Sequence, residues 1–578
     1  MADHLPPSRH DPLRLLIGSK FPGRRWPGAA RAAIALFVPA LLAWGSGHAD
    51  AMLLIASGAC AVIYGEGHGY RARAKVIAVA GAVLVAGAFL GSLTGHWVYG
   101  AIGESGARWP LLGTVAFASC FATLLVYLTN ALRLPPPGAF FFVMVAGAVT
   151  LTGRSGVPPA TVAGLVGLGA LSALVVGMSG ALVDRMAPER DAVAGAERAV
   201  AEFAASPSDP GRRHRASSAL HAAWAALHDA DAVRGGVVLD GPRRELAQRA
   251  MAMRETMVRL VGDGRGSSGQ GSAGRDTDVR GSDGRDTDVR DSAEQGIAES
   301  AEAESARPHT AMAPLARPSW RYRIMRSAGL RSHAGVAATR VAVASVVVGT
   351  ASVAMGLTRP DWAIVSAVMV LQKGPDRISG SVRGLHRFLG SIAGVLLFAA
   401  VHAVQPGPVG VLLVLMVCQF FAEVFVPRNY ALTCVATTPL ALLLGDSLSD
   451  PLGETVLSRL AEVAVGCGAA IVVLWVLLPR GAAVVLRTTG RRVLRAAVEL
   501  EAARDAAPGE GAGTGTGTGA ATGADEILQR RRDLQFELHG NQYAAEDAAH
   551  DLPEWTARMW PRHLEIQARG YAALSSRR

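Results

Sequence analysis

Long apolar stretches, most of them roughly 16–25 residues, recur along nearly the whole chain and dictate what it can fold into. A helix of that length crosses about 30 Å of hydrocarbon. A bilayer offers backbone groups no partners, so an open chain crosses it only as helix. The charge is withdrawn to match. Only 18% of residues are charged, against about 25% in an average soluble domain, and they gather in blocks at 1–31, 184–340, 373–387 and 479–578. The chain therefore reads as an all-α polytopic membrane protein.

The net charge of +10 and the pI near 9.8 do not indicate nucleic acid. The cations sit beside apolar spans, at Arg24–Arg25, Arg71–Lys75, Arg321–Arg331 and Arg480–Arg495. That is the positive-inside pattern, with membrane lipids as the partner. Lysine is confined to Lys20, Lys75 and Lys373, which with abundant Ala and Gly suits a GC-rich bacterial genome. The five cysteines fall inside expected spans without a CxxC pair, so neither metal site nor disulfide framework is indicated. The start lacks a short apolar region with a cleavage site and reads as a cytoplasmic arm.

Expected spans in the first half are 29–46, 50–65, 75–93, 111–132, 138–152 and 159–183. Those in the second are 334–357, 361–373, 386–404, 408–426, 429–445 and 457–478. Connections that are basic alternate with ones poor in Lys and Arg, Arg154 being a mild exception in the first half, which places both termini inside. Six spans per half give both halves one orientation, a parallel duplication of the kind found among transporters. Residue matches support it: Arg31 with Arg340, Arg71 and Lys75 with Arg383 and Arg387, Ala78 and Ala82 with Gly390 and Gly394.

The organisation is then an N-terminal arm (1–28), a membrane module (29–185), a cytoplasmic helical segment (186–262), a linker (263–318), a second module (319–480) and a tail (481–578). The linker repeats GRDTDVRGSD as GRDTDVRDS and is too polar to offset its chain entropy, so disorder is expected. Its Asp-Thr-Asp runs lack the Glu of a calcium loop. The tail reads as a basic helix (483–504), a Gly/Thr segment and a second helix (525–549).

From Arg340 to Pro479 the order of motifs resembles a known family. The motifs are Pro360-Asp361-Trp362-Ala363, Arg387 with Gly390, Arg428-Asn429-Tyr430-Ala431, Thr438-Pro439, and Arg459 with Glu462. They resemble the fusaric acid resistance-like (FUSC) proteins of the aromatic acid exporter superfamily. Pro136-Pro137-Gly138-Ala139-Phe140-Phe141 is similar to the divergent amino-terminal module of bacterial members, although the first half has no Arg-Asn-Tyr run. The resemblance implies a multi-pass inner-membrane permease exporting small aromatic acids by proton motive force.

Ionisable residues inside spans cost about 2.5–3.5 kcal/mol each, so each is a functional candidate. Arg340 and Arg31 either grip a carboxylate through a planar fork or snorkel to headgroups. Glu423 either carries a proton or pairs with Arg428 or Arg377. Glu462 either carries a proton or pairs with Arg459 three residues away. Lys373, Arg377, Arg383 and Arg387 form a basic inner mouth, at once a topology signal and an anion funnel. Arg428, Asn429 and Tyr430 extend that pathway. Trp362 belongs to the most specific motif. Gly390 and Gly394 make a GxxxG packing face, and Pro439 is a static kink or a hinge.

There is no Walker A motif, no GxSxG elbow, no cofactor signature and no enzyme chemistry. Three readings remain: a permease for small organic anions, a passive anion channel, and a membrane scaffold that binds a cytoplasmic partner. Self-association into a homo-oligomer is left open.

Overall fold

Apolar runs that can satisfy their backbone only internally become helices throughout. The computed structural model describes residues 16, 18, 26–134, 137–207, 210–234, 237–269, 318–357, 359–426, 428–444, 448, 451–506 and 518–575. Six helices make the first membrane half: α1 (Trp26–Gly45), α2 (Ala49–Gly65), α3 (Tyr70–Ser105), α4 (Leu111–Ala131), α5 (Phe140–Ser155) and α6 (Pro159–Val183). Three more polar helices follow, α7 (Ala187–Ala204), α8 (Pro210–Asp229) and α9 (Arg244–Gly269), with a two-residue β-ladder, Val233–Arg234 against Val237–Val238, between α8 and α9.

A short α10 (Trp320–Ser327) leads into the second half. There lie α11 (His333–Ala354), α12 (Pro360–Leu371), α13 (Arg377–Val404), α14 (Pro408–Phe425), α15 (Tyr430–Leu444) and α16 (Leu452–Val476). Three more helices end the chain: α17 (Gly481–Asp505), α18 (Thr518–Asp551) and α19 (Pro553–Ser575).

Among the described residues, eight helices are long and apolar enough to cross a bilayer, and four apolar ones are shorter. The short ones occupy the second and fifth places of each half. They are also the most enclosed: every residue of α5 from Phe140 to Gly147 is buried, as is all of α12 except Met369. A helix that is apolar all round belongs in a core. The long helices behave oppositely, turning Leu42, Val79, Leu168, Val175, Leu396 and Val472 outward, as a lipid-facing wall requires.

The duplication is built into the packing. In the first half α3 packs on α6, α2 on α6, and α3 on α5; in the second, α13 packs on α16, α12 on α16, and α13 on α15. Between halves, α1 lies on α14 and α4 on α11, each the first helix of one half against the fourth of the other. This is the reciprocal contact that a pseudo-twofold relation produces. The repeat extends past the membrane, since each half continues into a three-helix bundle with its own apolar core. The middle helices of the two bundles touch through His221 and His539, whose rings meet edge to face at 4.9 Å.

Helix ends differ from the expected ones where polar residues sit inside a helix. Residues 377–386, expected as inner loop, are the first turns of α13, capped by Asp376, which accepts the N–H groups of Ile378 and Ser379. Residues 94–105, expected as an outer loop, continue α3. The tail holds a third helix, α19, with Pro561 inside it. Residues 263–269 continue α9, while 270–317 and the Gly/Thr positions 507–517 lie outside the described residues.

The tail docks on both halves. Arg133, in the left-handed region at φ 50°, lays its guanidinium 3.5 Å from the Phe536 ring centre and donates to Phe536 O at 3.2 Å. Arg377 grips Asp551 at 2.9 Å, and Arg326 meets Glu537 at 3.3 Å.

Candidate anion site

Close helix packing carries the site. A methyl group on Gly390 would collide with the carbonyl of Ala431, and one on Gly394 would crowd Val435 O and Thr438 on α15. Pro439 has no N–H, so Val435 O lacks its usual helical donor at the point where Gly394 comes close. On the other flank, Gly466 of α16 presses on Ala363 O and Ser366 of α12. Helices α12, α13, α15 and α16 thus meet at backbone distance, and two arginines are enclosed between them.

Arg387 of α13 and Arg459 of α16 are each 1% exposed, among the largest fully buried side chains described. Arg387 reaches Cys434 Sγ at 4.0 Å, the outer limit of a contact, and its Nε has no partner. Arg459 is barer. None of its three guanidinium nitrogens has a hydrogen-bond partner among the described residues, and it lies over the Trp362 ring, 3.8 Å from centre to guanidinium carbon.

A carboxylate lies one turn further along α16. Glu462 accepts the backbone N–H of Arg359 at 3.2 Å and the Ser458 hydroxyl at 2.9 Å, and is not within ion-pair distance of Arg459. Asp361 is already held by Arg359 through two bonds of 3.1 and 2.9 Å. Three guanidiniums (Arg359, Arg387, Arg459) therefore face two carboxylates. A buried charge without a partner is expensive, and an arriving anion would relieve it. The arrangement can bind an anion through forked N–H donors.

The other expected residues are spread around this centre. Arg340 is fully buried, but its donors all go to main-chain oxygens: Leu477 at 3.2 Å, Pro375 at 3.1 Å, and Leu474 and Leu478 at 3.3 and 3.0 Å. It caps the end of α16, where free carbonyls and the helix dipole favour a cation. Neither carboxylate capture nor snorkelling describes that placement. Arg31 closes a fork on Glu66 at 3.0 and 2.7 Å.

Of the residues expected at an inner mouth, Arg377 is committed to Asp551, Arg383 donates to Val370 O at 3.2 Å, and Lys373 is exposed. Asn429 caps α15 through the N–H of Ala431 at 2.8 Å, Tyr430 opens that helix, and Arg428 is half-buried beside it. Glu423 takes a 3.4 Å bond from Gln419. Of the expected set, the structure brings together Arg387, Trp362, Glu462 and Tyr430 around the buried guanidiniums, with Gly390 and Gly394 as their packing support. Arg459 was read as a partner for Glu462, and the three-residue spacing on one helix gave no sign that the two side chains diverge.

A polytopic all-helical membrane protein with uncompensated arginines in its core is the class this architecture defines. Residues 343–473, from α11 to α16, match the family described as Fusaric acid resistance protein-like. The match contains Trp362, Arg387, Arg459 and Glu462. A stretch of 155 residues is 27% identical to "Uncharacterized membrane protein YvaC" of Bacillus subtilis (strain 168), covering 26% of this chain and 24% of that protein. The alignment thus spans about a quarter of the relative's length. No solved structure matches.

Proposed function

We propose that this chain is a permease that carries small organic anions, aromatic carboxylates foremost, out of a bacterial cell across its plasma membrane. The observation that carries the reading is Arg459: a wholly buried guanidinium with three unspent nitrogens, next to a tryptophan face and within electrostatic range of Arg387 and Arg359. Neighbouring cations lower the cost of bringing an anion into the hydrocarbon layer. An inside-negative membrane potential then drives that anion outward, about 2.3 kcal/mol per charge per 100 mV.

Glu462 supplies the proton dependence. Ionised, it offsets Arg459 from one turn away and competes with the solute. Protonated, it leaves the guanidinium to the solute. Protonation of Glu462 thus frees the site for the anion while the proton stays on the carboxylate, so flux rises as pH falls and the membrane potential still drives the charged solute outward. The placement of a titratable carboxylate beside the cation favours this over a passive channel.

The test uses the purified protein in liposomes loaded with radiolabelled phenylacetate. Flux that is saturable, lost in Arg459→Ala and made insensitive to pH by Glu462→Gln agrees with the reading. Flux that follows voltage and is unchanged by pH in the wild type marks a passive channel instead. No flux in any variant, with a phenotype that depends on 186–262, marks a scaffold.

A further inference from the structure

Away from the membrane, the tail bundle contains an open pocket of about 300 Å³ between the start of α17 and the middle of α19. Its rim is basic. Arg487, Arg491 and Arg562 line it, all three exposed, and among the described residues none of them pairs with a carboxylate. Arg487 instead lies over the ring of Trp555, 5.2 Å from its centre, so the rim has a flat aromatic wall. Leu486 and Ile566 give the pocket an apolar floor.

One polar group waits at the bottom. His563 is 3% exposed, and its Nε2 lies 3.2 Å from Gln542 Oε1. Gln542 turns its amide nitrogen to Glu546 at 3.1 Å, so its oxygen must be the atom that faces the imidazole. The ring therefore carries its proton on Nε2 and leaves a lone pair on Nδ1 without a partner; Nδ1 is closed off from solvent, so a ligand donor reaches it only as the side chains lining the pocket give way. Burial pushes the His563 imidazole down to about 4, which keeps it neutral near pH 7. A buried acceptor left unsatisfied costs about 1–3 kcal/mol, and a ligand hydrogen would recover it.

We infer that this pocket binds a small aromatic carboxylate carrying a hydroxyl or N–H donor at the end opposite its charge. The carboxylate meets the arginine rim, the ring lies along Trp555, and the donor reaches His563 Nδ1. Charge complementarity, a flat apolar wall and a single acceptor select together for that shape. The pocket lies on helices that continue directly from α16, so it is a second site, distinct from the arginines in the membrane.

The test is calorimetric titration of the full-length protein in nanodiscs of neutral phosphatidylcholine. The probes are 4-hydroxyphenylacetate, phenylacetate (no donor) and 2-(4-hydroxyphenyl)ethanol (no charge). The Arg491→Ala/Arg562→Ala variant, whose changes are on exposed side chains, should weaken 4-hydroxyphenylacetate by at least about tenfold, the loss of one charged hydrogen bond. The corresponding double lysine variant should recover part of it. Phenylacetate and the neutral alcohol should each bind more weakly than the parent probe. The same heat must persist in Arg459→Ala, which separates this pocket from the membrane site. Equal affinity for all three probes, or binding that vanishes in Arg459→Ala and survives loss of the rim, would overturn the assignment. Displacement of the probe by added phosphatidylglycerol would give the pocket to lipid headgroups and overturn the soluble ligand.

Discussion

The two halves of this protein have the same helices in the same order, yet only the second encloses a cluster of charges; the first buries Arg73, whose guanidinium donates to Gly177 O at 3.4 Å. Packing sets the residue correspondence. Gly91 and Gly95 of α3 meet the carbonyls of Ala146 and Thr150, as Gly390 and Gly394 of α13 meet those of Ala431 and Val435. Gly169 of α6 meets Ile55 O, as Gly466 of α16 meets Ala363 O. In that register the first-half counterparts of Arg387, Arg459, Glu462 and Trp362 are Ala88, Val162, Leu165 and Leu54. The scaffold was kept and the chemistry was not. An arginine costs too much in a membrane core to persist without use, so the first half reads as the wall against which the second works.

Substitutions at matched positions sharpen that contrast. Arg459→Ala should reduce solute flux by at least about tenfold, since a hydrogen-bonded charge contributes on the order of 1.5–3 kcal/mol. Its counterpart, Val162→Ala, should leave flux within about twofold and cost only about 1 kcal/mol of stability through a small cavity. Initial rates in liposomes and thermal melts in detergent separate the two. Equal losses of flux would break the asymmetry.

The glycines test what the halves share. Gly91→Ala and Gly390→Ala each push a methyl into a facing carbonyl, so both should destabilise by about 1–3 kcal/mol. Melting temperatures should fall alike. A drop confined to Gly390→Ala would mean that only the second half relies on close packing.

A smaller effect belongs to the tail. Asp547 is half-buried near Asp376, Glu546 and Asp551, with Arg383 opposing them. Burial first, then the neighbouring carboxylates, raise it from 3.8 to about 7. The folded tail thus holds a proton that the unfolded chain releases. Stability should be fullest below about pH 4 and decline as pH rises towards 7, and Asp547→Asn should flatten that slope. Melting temperature against pH reads it directly.

Much of this was legible beforehand. Hydropathy gave the apolar helices because a bilayer leaves the backbone no alternative, and Trp362, Arg387 and Glu462 stood out as costly or motif-bound residues. The register of the repeat was not legible. Matching Arg71 and Lys75 to Arg383 and Arg387 aligned charges, whereas the helices align by glycines, and Ala88 carries no trace of the arginine it faces across the pseudo-twofold. Arg459 was hidden for a different reason. Spacing of three residues on a helix predicts an ion pair with Glu462, but the guanidinium turns to Trp362 and the carboxylate to Arg359 N–H. Side-chain direction in a packed core is set by neighbouring helices, and those come from distant sequence. Arg340 shows the same limit, because the carbonyls it caps belong to residues more than a hundred positions away.

The central claim is that Arg387 and Arg459 bind an anion. Saturable uptake of an aromatic carboxylate into liposomes should be compared for the wild type, Arg387→Gln/Arg459→Gln, and a matched Ala88→Ser/Val162→Thr pair from the first half. The account predicts that the arginine pair abolishes saturable uptake while the first-half pair retains it. Uptake that survives without both arginines would contradict it.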